Sequence, residues 1–120
     1  MEPFIVSLVG ALAAGAVAAA KDTATQAVKD AYDGIRQYIK DRYARVHLDD
    51  LEEEPHSKGQ QLVIQEKLEK AGVENDPTLP KLVAELVEAL KSQAPDAAKT
   101  VGVDLEGIRT RVGHRVSGTY

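Results

Sequence analysis

Between Phe4 and Ala20 the chain carries no charge, although acids and bases recur through the rest of it every third or fourth residue. So bare a stretch has few fates: it lies in a protein core, enters a membrane or is cleaved away. Its large apolar residues, Phe4, Ile5, Leu8, Val9 and Leu12, come first, and then Ala and Gly dominate, with Val17 among them. Small residues recur at every fourth position, as Ser7, Ala11 and Gly15 and in parallel as Gly10, Ala14 and Ala18. On a helix this spacing makes a smooth ridge along which another helix backbone can approach closely. Pro3 suits the first turn of such a helix, where its missing N–H costs nothing.

A signal peptide has basic residues ahead of its apolar run, whereas the early charge here is Glu2. A permanent span takes about 20 strongly apolar residues. Phe4 to Ala20 is seventeen residues, seven of them Ala, so it is too short and too mild for that role. Two readings remain open. One is a helix apolar all round, buried at the centre of a small bundle. The other is a helix that packs in a bundle and later self-associates in lipid.

The remaining segments supply what a central helix would cover. From Asp22 to about Arg45, Ala27, Val28, Ala31, Ile35, Tyr38 and Ile39, continued by Val46, follow the three-and-four rhythm of an amphipathic helix. Gly34 sits inside it, where a close contact or a bend is expected. "HLDDLEEEPHSKG" breaks the rhythm and reads as an acidic loop with a short turn around Leu51. A third helix starts near Ser57 and ends at Gly72, with Leu62, Val63, Leu68 and Ala71 as its apolar side. The fourth is capped by Thr78, has Pro80 in its first turn, and carries Leu79, Leu82, Val83, Leu86, Val87 and Leu90 as a stripe that stops before Pro95.

From Val101 the chain has β-branched residues in short alternating runs, punctuated by Gly102, Gly107, Gly113 and Gly118. This reads as strand-capable or disordered. The expected fold is all-α: a small four-helix bundle over residues 1–95 with a largely hydrophobic first helix, and a non-helical tail over 96–120. Removing Val101 to Tyr120 is then expected to leave a folded bundle. Leu, Val, Ile and Ala must build the core, because aromatic residues are few and Trp is absent.

The chemistry classes narrow quickly. The net charge of -4 argues against a phosphate backbone as partner, so no nucleic acid is expected. Cysteine is absent, which excludes disulfides and thiolate chemistry. His47, His56 and His114 are isolated, and the carboxylates from Asp49 to Glu54 are consecutive and lack the alternation and central glycine of a calcium loop. Ser57 and Thr78 fit helix caps better than nucleophiles. Lys40, Arg42 and Arg45, at the end of the second helix, complement its dipole and make only a weak patch for anionic lipid. No catalytic residue, metal or cofactor is expected.

"MEPFIVSLVGALAAGAVAAAKDTATQAVKDAYDGIRQYIKDRY" resembles the start of the Bell domains. These are bacterial helical domains regarded as analogues of the fungal HeLo and HeLo-like death-inducing domains. They are compared also with the four-helix domain of the animal mixed-lineage kinase-like necroptosis protein. The resemblance rests on the Met1-Glu2-Pro3 start, the small-residue-rich first helix, and "KDTATQAVKDAYDGI" followed by a basic helix end. It covers residues 1–95 by architecture, and its specific part is the first forty or so. It implies a cell-death or immunity effector, cytoplasmic at rest, that oligomerises and moves to the inner face of the cell membrane to disrupt it.

On that implication Phe4, Ile5, Leu8, Val9, Leu12 and Val17 meet lipid or core, and Ser7, Gly10, Ala11, Ala14, Gly15 and Ala18 line helix–helix contacts. The resemblance implies further that a C-terminal amyloid motif receives a signal from a nucleotide-binding receptor. Ile108, Val112, Gly113 and Val116 are the residues of "IRTRVGHRVSG" that would carry it. Arg109, Arg111 and Arg115 depart from such a motif, since they would repel in a parallel stack. The rival expectation is an adaptor whose tail docks a partner by adding a β-strand.

Overall fold

A computed structural model describes residues 4–21 and 24–117, and every regular element in them is helical. The first helix, α1 (Phe4–Ala19), is enclosed by the other six: α2 (Gln26–Arg42), α3 (Asp49–Glu53), α4 (Lys58–Ala71), α5 (Leu79–Gln93), α6 (Pro95–Thr100) and α7 (Leu105–Ser117). It touches each of them and the 3-10 turn Val73–Asn75. The all-α expectation holds, and the uncharged helix is the core.

Local chemistry explains most boundaries. Thr25 Oγ1 accepts from Val28 N at 3.4 Å to open α2, whose Val28, Tyr32, Ile35 and Ile39 are buried at helical spacing. Ser57 Oγ accepts from Gln60 N at 3.3 Å to open α4, and Gly72 ends it with φ 80°, both as the sequence indicates. The turn expected around Leu51 is α3, with Leu51 fully buried.

Four expectations need correcting. The apolar side of α4 is Ile64 and Leu68, four apart, while Leu62 and Val63 are 61% and 43% exposed and Ala71 is exposed too. Successive helix positions differ by about 100°, so Leu62 lies on nearly the opposite side from Ile64. The cap of α5 is not the Thr78 hydroxyl. Asp76 Oδ1 accepts from Thr78 N at 2.8 Å and from Leu79 N at 3.1 Å. Gly34 makes no close contact, since a Cβ there would meet nothing within 4 Å, and α2 runs on through it.

The fourth correction is the largest: the segment after Ala94 is not a strand-capable tail. It forms α6 and α7, and α7 packs along α5 as well as α1. The apolar residues of this segment also fall at helical spacing: Leu105, Ile108 and Val112 are all buried. Burial of that stripe outweighs β propensity, which is weak against tertiary context. Gly102 (φ 69°) turns the chain between the two helices, with Val103 N donating to Ala98 O at 2.8 Å. Arg109, read as repulsive in a parallel stack, pairs with Glu88 at 2.5 Å across the α5–α7 seam and with Glu106 on its own helix. Lys91 pairs with Glu106 across the same seam.

Two glycines give a matched test of this packing. A Cβ on Gly15 would lie 2.7 Å from Tyr32 Cδ1 and 3.1 Å from Leu86 Cδ2. The Tyr32 ring cannot retreat easily, because its hydroxyl donates to Glu52 Oε2 at 2.7 Å. Gly15→Ala is expected to cost about 1–3 kcal/mol despite the better helix propensity of Ala. Gly34→Ala is expected to add about 0.5–1 kcal/mol. Denaturant midpoints of the two variants, moving in opposite directions, check it.

Candidate functional site

The residues singled out on α1 are all drawn into one sheathed helix. Phe4, Ile5, Leu8, Val9 and Leu12 are buried, and Val17 is half-buried on the outer edge of the helix. Ser7, Ala11, Ala14, Gly15 and Ala18 are buried, and Gly10 is half-buried. The small side chains let neighbours close in. Gly15 faces Tyr32 and Leu86, from α2 and α5, and Gly10 faces Val103 and Ile108, the latter from α7. In this state both ridges are occupied by helices of the same chain. Among the described residues no helix is long and apolar enough to cross a membrane.

Polar contacts fasten the start of α1. The first amides of a helix lack intrahelical partners, and here Ile5 N donates to Glu74 Oε1 at 3.0 Å, from the 3-10 turn. A carboxylate near a helix N-terminus also complements the helix dipole. Two residues on, Asp76 is 6% exposed and binds three segments together. It accepts from Tyr38 Oη at 2.8 Å, from Tyr43 Oη at 2.5 Å, and from the two amides that open α5. Burial pushes the Asp76 carboxyl up, but the bonds from Tyr43, Tyr38, Thr78 N and Leu79 N outweigh it and hold the carboxyl below its usual value. Burial, then the Asp76 bond, pushes the Tyr43 phenol up to about 12, so it stays a donor at neutral pH.

The sign of the resulting pH effect is fixed. A carboxyl lowered in the folded state stabilises fully above its unfolded value of about 3.9 and loses that contribution as pH falls through the lower folded value. Stability should therefore drop below about pH 4, and Asp76→Asn should flatten the drop while lowering the neutral-pH plateau. Urea midpoints from neutral pH to about pH 2 for the two proteins measure it.

Near the other end of α1, Arg36 Nε donates to Glu52 Oε2 at 2.6 Å, the same oxygen that Tyr32 holds. This ties α3 over α2. Neither Glu74 nor Asp76 stands out by helical periodicity. Asp76 did carry a signal: Asp before Pro77, at the right spacing to accept from the second and third amides onward. Glu74 carried none, because its partner is 69 residues away.

Of the tail residues, Ile108 and Val112 are 2% and 0% exposed, so no partner reaches them in this state. Gly113 and Val116 lie within the backbone of α7, and their side chains are outside the described residues. The β-strand docking expected of this segment would require α7 to unfold first. A groove of about 490 Å³ opens in the sheath where Val6, Val9 and Gly10 of α1 meet Leu62, Val103 and Ile108.

The model of the Het-E N-terminal domain matches residues 1–116, which takes in α6 and nearly all of α7 together with the earlier helices. Comparison with curated proteins and with solved structures gave no match.

Proposed function

The chain belongs to the Het-E N-terminal domain family, a HeLo-like family related to cell-death domains, and on that premise we propose that it is a non-enzymatic effector that attacks membranes when clustered. The observation that carries this reading is the combination on α1 of no charge and two small-residue ridges. A helix that served only as a core could carry polar residues on its half-buried edge, where Val6, Gly10 and Val17 stand. This one can change environment without dragging an ion along.

In the resting state, which we place in the cytoplasm, α1 is sheathed. A trigger clusters several copies, α1 leaves its sheath, and its ridges, vacated by α2, α5 and α7, pack against α1 of other copies at the inner face of the membrane. Clustering matters because sixteen residues make a helix of about 24 Å, short of the hydrocarbon core of about 30 Å. One such helix spans poorly, and several together can thin the bilayer and share the mismatch. The trigger in this scheme is a nucleotide-binding receptor acting through residues 101–120, and membership of the Bell type, with a role in bacterial immunity, is part of the same proposal.

The test is leakage of a dye from liposomes by the full chain fused to an inducible dimerisation domain. Leakage is expected on induction only. Val17→Asp discriminates the active element: Val17 is half-buried near the end of α1, so a carboxylate there keeps access to water and the fold should survive. Two residues from the end of α1, the carboxylate stays near the interface of an inserted helix, so the cost is about 1 kcal/mol per copy and leakage should fall about fivefold. Undiminished leakage from folded, clustered Val17→Asp protein would mean that α1 is not the lytic segment.

A further inference from the structure

The ends of α2 and α4 converge on a groove of about 690 Å³ that the sequence alone does not bring together. Its cations are Arg42 and Arg45 from the end of α2 and the loop after it, and Lys67 and Lys70 from the last turns of α4. Its floor is apolar, from Tyr43 and Val46, and no carboxylate lines it. In a chain of net charge -4, four cations gathered without an acid among them are unexpected. The ion pairs among the described residues use Arg36, Lys91 and Arg109, and none of these four. Arg42 lies 5.7 Å from the Tyr38 ring centroid, which holds it in place without neutralising it.

A structural role accounts for only half of the set. Arg42 and Lys70 sit in the last turns of their helices, where a cation complements the dipole. Arg45 lies beyond the end of α2, and Lys67 lies a turn before the end of α4, so neither needs to be basic for that reason. Glu66 stands four residues before Lys70 on the same side of α4, yet it forms no ion pair with it among the described residues, and neither it nor Glu69 lines the groove.

We propose that this groove docks the phosphate-bearing headgroups of an anionic membrane surface. Guanidinium forks and ammonium groups match phosphate oxygens, and the apolar floor suits the glycerol and upper acyl carbons of a lipid. The placement fits a membrane better than a soluble phosphate. Lys70 is followed, after Ala71, by Gly72 and the turn that carries Glu74, whose carboxylate holds Ile5 N. Tyr43 on the groove floor donates to Asp76 at the same pole. A surface engaged by the groove therefore meets the bundle at the end where α1 begins. This deepens the membrane reading above and rests on it.

The test uses the full chain and flotation with vesicles of phosphatidylcholine alone or mixed with phosphatidylserine. Binding is expected to the mixed vesicles only, and to weaken as salt rises. Arg45→Gln combined with Lys67→Gln leaves both helix ends their cations, so the thermal midpoint should not move. Each basic side chain near an anionic surface is worth roughly a fivefold change in partition, so the double variant should bind about 25-fold more weakly. Equal binding by the variant, or equal binding to phosphatidylcholine alone, would overturn the proposal. So would loss of vesicle binding on adding inorganic phosphate at constant ionic strength, which would assign the groove to a soluble phosphorylated ligand. Flotation scores attachment and not leakage. Attachment without leakage would count against the effector reading and leave the groove standing, whereas leakage with attachment unchanged in the variant would remove the groove alone.

Discussion

A chain ending at Thr100 is expected to lose its cooperative unfolding transition. The deletion removes Val101, Leu105, Ile108 and Val112, which are 3%, 8%, 2% and 0% exposed. Burying such side chains is worth about 1.5–3 kcal/mol each, or roughly 6–12 kcal/mol together. A domain of this size has only about 5–15 kcal/mol to lose. The cut also uncovers Gly10 on α1, whose neighbours are Ile108 and Val103. The ion pairs of Arg109 and Lys91 add little to this loss, since they are largely exposed. Thermal unfolding followed by circular dichroism should be broad and shifted far down. A truncated chain that melts cooperatively near the full-length midpoint would show α7 to be an appendage, as the sequence suggested. Any signal received by this segment therefore acts on the sheath of α1 directly, because α7 is part of it.

The second large effect is expected from Leu12→Glu. Leu12 is fully buried near the middle of α1. A carboxylate there enters a core cluster that is apolar but for the Tyr32 hydroxyl, which already donates to Glu52. The group would enter protonated or not at all, and the loss is about 5 kcal/mol or more, beyond that of Leu12→Ala at about 2–5 kcal/mol. The variant should be unfolded or molten in solution, with near-ultraviolet tyrosine signals lost and helical content reduced. A cooperative, native-like melt would mean that Leu12 faces solvent and that α1 is not the centre of the bundle. The contrast with Val17→Asp is deliberate, since one change tests the core and the other tests the helix in lipid.

Much of the fold was legible because it depends on neighbours in the chain. The α2 stripe of Val28, Ile35 and Ile39, the opening of α4 at Ser57, its Gly72 end and the α5 stripe before Pro95 all rest on contacts within a few residues. Where periodicity was thin, the reading slipped. In α4 the sequence offers Leu62, Val63, Ile64 and Leu68 in one cluster, so two faces fit almost equally well. The structure buries Ile64 and Leu68 against the bundle and leaves Leu62 at the edge of the groove over α1.

The bare segment from Phe4 to Ala20 determined by itself that this chain must hide a helix, because nothing on that helix can satisfy water at its surface. Its small-residue spacing likewise determined that other helices approach it closely. The tertiary structure alone decided what hides it. Residues 105–112 could alternate as a strand or wind as a helix, and the waiting surfaces of α1 and α5 selected the helix that buries Leu105, Ile108 and Val112. It alone brought Glu74 to Ile5, Asp76 to two tyrosines more than thirty residues earlier, and Lys67 and Lys70 to Arg42 and Arg45. Such pairings leave no period in a sequence, because the free energy that makes them comes from burying the surfaces between and not from the residues beside them.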